Sequence, residues 1–379
     1  MRGAIFIVMV LWLAGCGGPP SALVGLEGSV DPATVPGASK VEVFVATSRA
    51  PSEDAHTLFS GERSSTVAFA HLTVWIPPNH QTGQIERTKT LPPDPRTDFV
   101  ITNPLVFDKQ AEFVRDVDRD LATRPPADRN VLIFVHGYNT DFTSAVLRIA
   151  QFVHDSGYKG TPVLFTWASR GRTLDYVYDL NSTLHARDGM LEAAIAITNE
   201  TNARQVDILA HSMGNFLTVE AMRQQALRGQ FNARGRINSV ILAAPDIDID
   251  LFQRQLDWLR PDQLPVYVLV SADDKALGLS RRIAGNVERV GQARPEELAG
   301  LGLNVIDLSA VEDTESIHHT KFAGAPEVVQ LIGEGILAGA ALPESEGTES
   351  PLEVLGGAAA DILVLPATVL SGGRIRASH

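Results

Sequence analysis

Six short apolar runs recur between residues 130 and 308, and segments with helical spacing of apolar residues separate most of them. A continuous apolar run of this length is typical of a strand that is covered on both faces, as in a parallel sheet. Strands that alternate with helices in this way predict an α/β fold with a mostly parallel, doubly wound sheet. The runs are NVLIFV at 130–135, PVLFTW at 162–167, VDILA at 206–210, INSVILA at 237–243, VYVLVS at 266–271 and NVIDL at 304–308.

Two earlier runs, VEVFVAT at 41–47 and AFAHLTVWI at 68–76, have no clear helix between them. They predict an antiparallel N-terminal edge of the sheet. Together with the six later runs they define a folded domain over residues 40–342. Residues 343–379 form a Gly/Ala-rich tail in which an apolar stretch, 352–370, predicts a small packed helix or strand.

The N-terminus has the pattern of an export signal. Arg2 precedes an apolar run from Ala4 to Ala14, which is too short to span a bilayer. Leu13-Ala14-Gly15-Cys16 resembles the bacterial lipoprotein box, in which the cysteine is acylated, and Cys16 is the only cysteine of the chain. We therefore expect a signal peptide over 1–16 and a flexible tether over 17–39; the alternative is an ordinary secretory signal that happens to include a cysteine.

The formal net charge of −13 excludes a nucleic-acid binder, because no Lys/Arg run supplies the positive charge that phosphate contacts need. A lipid chain on Cys16 would hold the protein to a membrane without a spanning helix. We expect a location in the bacterial cell envelope, outside the cytoplasm. Since no Asp follows Cys16 directly, the expected membrane is the outer one, with the protein facing the periplasm.

Ser212 lies in LAHSMG, between an apolar run and a segment of helical spacing. This strand-turn-helix context predicts a nucleophile elbow, in which small flanking residues avoid collisions around a strained serine. Gly214 meets that need, whereas Ala210 stands where a glycine is usual. The alternative is a serine that only caps the following helix.

A serine nucleophile needs a base and an acid that orients it, in the chain order Ser, acid, His. The histidines after Ser212 are His318, His319 and His379, and the first two follow the last apolar run. Both remain candidates for the base. Asp274, after the run at 266–271, is the first candidate for the acid, with Asp273 and Asp246 as alternatives.

Asp246, Asp248 and Asp250 also mimic the spacing of a calcium loop, but Leu251 stands where such a loop needs glycine and Asp257 where it needs glutamate. Helix capping is the favoured interpretation of this cluster. We expect neither a metal nor a cofactor.

His136-Gly137-Tyr138-Asn139 follows the run at 130–135. The glycine would let the backbone approach a substrate, and the amide of Tyr138 or Asn139 would pair with that of Met213 to form an oxyanion hole. The alternative is a plain β-turn built from Gly and Asn.

Several segments resemble an uncharacterised bacterial α/β-hydrolase family grouped with esterases and lipases. They include ATSR at 46–49, WIPPNH at 75–80, NVLIFVHG at 130–137, LAHSMGN at 209–215, LAAPDID at 242–248 and SADDKAL at 271–277. The resemblance covers roughly residues 40–340 and implies an α/β-hydrolase fold with Ser212 as nucleophile, Asp274 as acid and His319 as base. The family usually carries an aromatic residue where this chain has Lys321, so the choice between His318 and His319 stays open.

The sequence thus predicts a lipid-anchored serine hydrolase that cleaves a small-molecule or lipid ester through an acyl-enzyme intermediate. A thioesterase or amidase would use the same three residues. A lipoprotein that uses the hydrolase fold only for binding is the alternative of another class.

Overall fold

A ten-stranded sheet organises the protein in a computed structural model that describes residues 19–26, 28–259, 265–312, 318–338 and 362–366. The strands lie in the order β10-β9-β8-β7-β6-β4-β5-β1-β2-β3. Their bounds are β1 Ser39–Pro51, β2 Phe59–Ile76, β3 Val100–Phe107, β4 Val131–Val135, β5 Thr161–Thr166, β6 Val206–His211, β7 Ile237–Ala243, β8 Val266–Val270, β9 Asn304–Asp307 and β10 Leu363–Leu365.

The α-helices connect the parallel strands as expected for a doubly wound sheet, so the predicted α/β-hydrolase fold is confirmed. Their bounds are α1 Gln110–Ala122, α2 Phe142–Asp155, α3 Tyr176–Ile195, α4 Met213–Leu227, α5 Ile249–Leu256, α6 Lys275–Ile283, α7 Pro295–Ala299, α8 Lys321–Gly324 and α9 Pro326–Gln330. None of the helices in the described ranges is both long and apolar enough to cross a bilayer.

All six strands predicted after residue 130 are present, and β4 to β9 pair in parallel. The antiparallel N-terminal end is also present, but it is larger than predicted. β1 pairs in parallel with β5 and antiparallel with β2, so it lies inside the sheet. The outermost strand is β3, which the sequence did not predict; its Pro104 is compatible with an edge strand, where a missing N–H breaks no ladder.

Alternate side chains of each central strand pack into two different cores. In β4, Val131, Ile133 and Val135 face one side of the sheet together with α1, α3 and α4. Leu132 and Phe134 face the other side, against α2 and the segment after residue 322. Because both faces are covered, the strand reads as a continuous apolar run rather than as an alternating pattern.

Two residues of the segment predicted as a tether pack on the domain. Leu23 and Val24 are buried, and Val24 donates its amide to the carbonyl of His56 at 2.9 Å. Val24 also forms a β-bridge with Ile101 of β3, so these contacts fasten part of the 17–39 segment to the domain. At the other end, β10 pairs with β9 inside the segment predicted to pack. Cys16, the signal segment and the rest of the tail lie outside the described residues.

Gly214, the second residue of α4, lies against the end of β4. A Cβ atom at this position would lie 2.3 Å from the carbonyl oxygen of His136 and 2.8 Å from that of Val135. Both contacts are to backbone, which cannot move aside as a flexible side chain can. The close approach of α4 to β4 therefore requires glycine.

We expect Gly214→Ala to lower the free energy of unfolding by about 1–3 kcal/mol, because the added methyl group overpacks the backbone of β4. Denaturant unfolding measures this change. Gly278→Ala is the matched control: it lies in α6, and its nearest atom is 3.8 Å away on a side chain. That control should be neutral or slightly stabilising, and equal destabilisation of the two variants would contradict the explanation.

Candidate functional site

Four loops meet at the carboxyl edge of the parallel strands. They follow β4, β6, β8 and β9 and carry the segment His136–Asn139, Ser212, Asp273–Asp274 and His318–His319, respectively. In open α/β sheets this edge is where ligands bind. The topology therefore brings together residues that are up to 183 positions apart in the sequence (from 136 to 319).

Ser212 has the strained backbone of a nucleophile elbow. Its φ of 53° and ψ of −124° lie outside the regions that L-residues usually adopt. Its side chain makes no capping hydrogen bond to α4, which argues against the helix-cap alternative. The elbow geometry that the sequence predicted is therefore present.

Asn215, to which the sequence analysis assigned no role, stabilises this turn. Its buried side-chain amide donates to the carbonyls of Ser212 at 3.0 Å and Ala243 at 2.8 Å. The amide of Ser212 also donates to Ala243 at 3.0 Å. The end of β7 and the elbow after β6 are thus held together by the Asn215 side chain and by one backbone hydrogen bond.

Asp274 and His319 form a buried hydrogen-bonded pair. Nδ1 of His319 lies 2.6 Å from Oδ2 of Asp274, whose side chain is fully buried. The other carboxylate oxygen accepts the amide of Leu277 at 2.9 Å and so caps α6. This arrangement fixes the carboxylate and directs Nδ1 of the imidazole toward it, leaving Nε2 for another partner.

The two alternative acids have other partners. Asp273 contacts Lys321, and Asp246 accepts from Tyr176 at 3.1 Å and from Ser280 at 2.5 Å. Nδ1 of His318 has no hydrogen-bond partner among the described residues. The carboxylate of Asp248 caps α5, as the capping interpretation of that acidic cluster predicts.

Lys321 connects the loop that carries Asp273 and Asp274 with the loop that carries His319. Its buried ammonium group donates to Asp273 at 2.8 Å, to Ser271 at 3.0 Å and to the carbonyl of Leu308 at 2.8 Å. Partial burial alone would raise the pKa of Asp273, but the hydrogen bonds from Lys321 and Ser271 lower it. The lysine at this position is therefore a structural link two residues after His319.

His211, the residue before Ser212, holds the backbone of His319. Its Nε2 lies 3.0 Å from the carbonyl oxygen of His319, and because a carbonyl only accepts, Nε2 carries the proton. The two rings are 4.7 Å apart. Burial and the neighbouring His319 lower the pKa of His211 well below its ordinary value, so its ring is neutral. The loop that carries His319 is thereby fastened to the elbow.

Gly137 and the elbow are in close contact. A Cβ atom at Gly137 would lie 2.7 Å from Cβ of Ser212. Among the described residues, the amides of Tyr138 and Met213 have no hydrogen-bond acceptor, as an oxyanion hole requires. The amide of Asn139 is different: it lies 3.3 Å from Oδ2 of Asp179. Asn139, which the sequence offered as an alternative donor, is therefore already paired.

His136 fixes the orientation of the peptide that carries the Tyr138 amide. Its Nε2 accepts the amide of Trp167 at 3.2 Å, so the proton is on Nδ1, which donates to the carbonyl of Gly137 at 2.8 Å. The Gly137 carbonyl and the Tyr138 N–H belong to one planar peptide. Holding the carbonyl therefore also directs the N–H.

Arg49 stabilises the loop after β4 from a buried position. Its buried guanidinium donates to Thr166 at 2.7 Å and to the carbonyls of Ser169 and Thr140, both at 2.7 Å. Burial lowers the pKa of Arg49 to about 10, so it stays charged at neutral pH. Burial and the charge of Arg49 lower the pKa of His136 to about 3, which keeps His136 neutral.

A cavity of about 660 Å³ opens beside the loop after β4 and beside His319. Its walls include His136, Gly137, Tyr138, Arg148, His319 and Phe322. Ser212 is 3% exposed and is not among the residues that line the cavity. Neither Oγ of Ser212 nor Nε2 of His319 makes a hydrogen bond within the described part of the chain, and catalytic hydrogen bonds often tighten only when substrate binds.

We expect His136, whose pKa is lowered to about 3, to remain neutral down to about pH 5, and His211 to remain neutral below the pKa of an ordinary histidine. The proton lies on Nδ1 of His136 and on Nε2 of His211. Imidazole ¹⁵N NMR measures both properties. Since the unfolded histidines take up protons below about pH 6.5, these two groups should lower the free energy of unfolding as pH falls below that value. A charged His136 ring at about pH 5, or a His211 ring that titrates like an ordinary histidine, would contradict the assignment.

The comparison with family models agrees with this architecture. The model of a family described as "Alpha/beta hydrolase of unknown function (DUF900)" matches residues 109–335. A hyperthermophilic esterase from the archaeon Pyrobaculum calidifontis is 9% identical and has a TM-score of 0.33, over 80% of this chain and 84% of its own. An esterase from the fungus Rhizomucor miehei is 11% identical and has a TM-score of 0.33, over 79% of this chain and 85% of its own.

These two structural likenesses are remote, and no activity follows from them. No curated protein matches the chain. The family match covers more than half of the sequence, including the elbow and the Asp274–His319 pair. The protein therefore belongs to the α/β-hydrolase family of unknown function, DUF900.

Proposed function

We propose that the protein is a serine hydrolase that cleaves carboxylic esters through an acyl-enzyme intermediate. The observation that carries the proposal is the 2.6 Å contact between His319 and Asp274, on a loop that His211 fastens to the Ser212 elbow. The family match supports hydrolase activity, whereas the serine nucleophile and the ester substrate are our proposals. A serine hydroxyl is a weak nucleophile until an adjacent base takes its proton, and a carboxylate that fixes the tautomer of an imidazole prepares it for that role.

In the proposed reaction, Oγ of Ser212 attacks the ester carbonyl while Nε2 of His319 takes its proton. Asp274 stabilises the resulting imidazolium through Nδ1. The amides of Tyr138 and Met213 hold the negative charge that develops on the carbonyl oxygen; one such donor is worth about 2.7–4 kcal/mol in the transition state.

The intermediate collapses when the alcohol leaves with the proton from His319. Water, with His319 again as base, then attacks the acyl-enzyme and releases the carboxylic acid, and Ser212 regains its proton. The reaction as written needs neither a redox step nor a cofactor. The cavity beside His319 is the proposed binding place for a small-molecule or lipid ester.

Paired substitutions test the three roles against their nearest neighbours. Ser212→Ala and His319→Gln should lower kcat for an activated ester by about 10³–10⁶-fold, and Asp274→Asn by about 10⁴-fold. His318→Asn and Asp273→Asn are the controls and should stay near wild type, because Nδ1 of His318 makes no hydrogen bond among the described residues and the Asp273→Asn side chain keeps an oxygen that accepts from Lys321. Asn is chosen at position 318 because φ there is 56°.

A loss of activity in His318→Asn but not in His319→Gln would reverse the assignment of the base. A panel of matched esters, thioesters and amides then ranks the three bond types by their rates of cleavage, since the same residues could cleave each of them. Folded wild-type protein that cleaves none of them, yet recovers a stoichiometric envelope partner, would favour a binding lipoprotein instead.

We also propose that Cys16 carries lipid and anchors the enzyme in the bacterial cell envelope, at the periplasmic face of the outer membrane. The support is the position of the single cysteine at the end of the apolar leader. We expect a diacylglyceryl group on an N-terminal Cys16 by mass spectrometry, and Cys16→Ser protein in the aqueous phase of a detergent partition. A mature chain that begins elsewhere and carries no lipid would refute the anchor.

A further inference from the structure

A second cluster of polar side chains lies away from the catalytic pair, where the loop after β2 meets the end of α2. Oδ1 of Asp155 is 2.7 Å from Nε2 of His80 and 3.1 Å from Nδ1 of His154. The side chains of His80 and Asp155 are 6% and 1% exposed, whereas that of His154 is 36% exposed. Two imidazole nitrogens thus converge on one carboxylate oxygen at a place that solvent can reach.

The three atoms have the chemistry and spacing of a zinc ligand set. They lie within 4.8 Å of one another. Tetrahedral zinc with bonds of 2.0–2.1 Å separates its ligand atoms by roughly 3.3 Å, so side-chain shifts of up to about 1 Å would accommodate the ion. Two imidazoles and one carboxylate suit Zn²⁺ better than Ca²⁺ or Mg²⁺, which prefer oxygen ligands.

The groups behind these atoms orient them toward a common point. Nδ1 of His80 lies 2.7 Å from Oε2 of Glu86 and keeps its proton there, whereas Nε2, which donates to Asp155 in the absence of metal, would release its proton when zinc binds. Oδ2 of Asp155 accepts from the amide of Gly83 at 2.7 Å and from Gln151 at 2.6 Å. Both inner ligands therefore have the second-layer hydrogen bonds that are typical of metal sites.

We propose that Nε2 of His80, Nδ1 of His154 and Oδ1 of Asp155 bind one Zn²⁺ ion, with the remaining position open to water. This proposal departs from the expectation that the chain uses no metal. No sequence pattern indicated the site, because the two histidines are 74 residues apart and no spacing motif joins them. The site takes no part in the proposed ester hydrolysis and stands independently of it.

The position of the cluster indicates what the ion would do. The loop that carries His80 continues through Gly83 and Arg87, which line the cavity beside His319. Gly83 also lies against Gly324, where a Cβ atom would be 2.3 Å from the carbonyl oxygen. Zinc would therefore fasten one wall of the substrate cavity to α2.

Zinc content tests the proposal directly. The full-length protein without an affinity tag, kept in detergent, is stripped with chelator, loaded with Zn²⁺ and dialysed, and its metal is measured by mass spectrometry. We expect about one zinc per chain, and a rise in the unfolding temperature on loading. X-ray absorption should show nitrogen and oxygen ligands and no sulfur.

His154→Gln is the decisive variant, because the residue is exposed enough for the fold to survive its replacement. It should lose the bound zinc, and Glu86→Gln should weaken binding by about 10–100-fold. His185→Gln, an exposed histidine of α3, is the control and should bind like wild type. Absence of zinc from the wild type, or equal retention by His154→Gln, would overturn the proposal.

Discussion

The backbone of Ser212 is the constraint on which the rest of the site depends. A residue with φ of 53° costs about 1–3 kcal/mol and persists only if its surroundings hold it. Asn215 supplies two hydrogen bonds from within α4, and the strand β7 supplies the carbonyl of Ala243. Gly214 and Gly137 allow the neighbouring backbone to come close enough for these bonds to form. The elbow is thus a product of sheet packing and not of its own sequence alone.

Two neutral histidines hold the backbone around the candidate site. His136 and His211 are both buried and neutral, each with one proton whose position its hydrogen bonds determine. One directs the peptide that carries the Tyr138 amide, and the other holds the backbone of His319. In the proposed reaction, donors fixed in this way would need no reorganisation when negative charge develops.

Much of this arrangement could be predicted from the sequence, and the exceptions share a physical cause. The six buried strands and the strand-turn-helix context of Ser212 could be predicted, because each depends on residues that are neighbours in the chain. The start of α3 at Tyr176 could not be predicted, because the helix lacks an apolar stripe. The roles of Arg49 and Lys321 depend on partners 117 and 50 residues away, which no local pattern reveals. The choice between His318 and His319 likewise depends on how one loop folds.

Fluorophosphonate labelling followed by peptide mapping tests whether Ser212 is an activated nucleophile, because the reagent reacts with a serine only where a base activates it. We expect one adduct per chain, on Ser212, in folded wild-type protein and in His318→Asn, and none in His319→Gln. Folded wild-type protein that takes up no label, or that carries it on another residue, would contradict the assignment of Ser212 as the nucleophile.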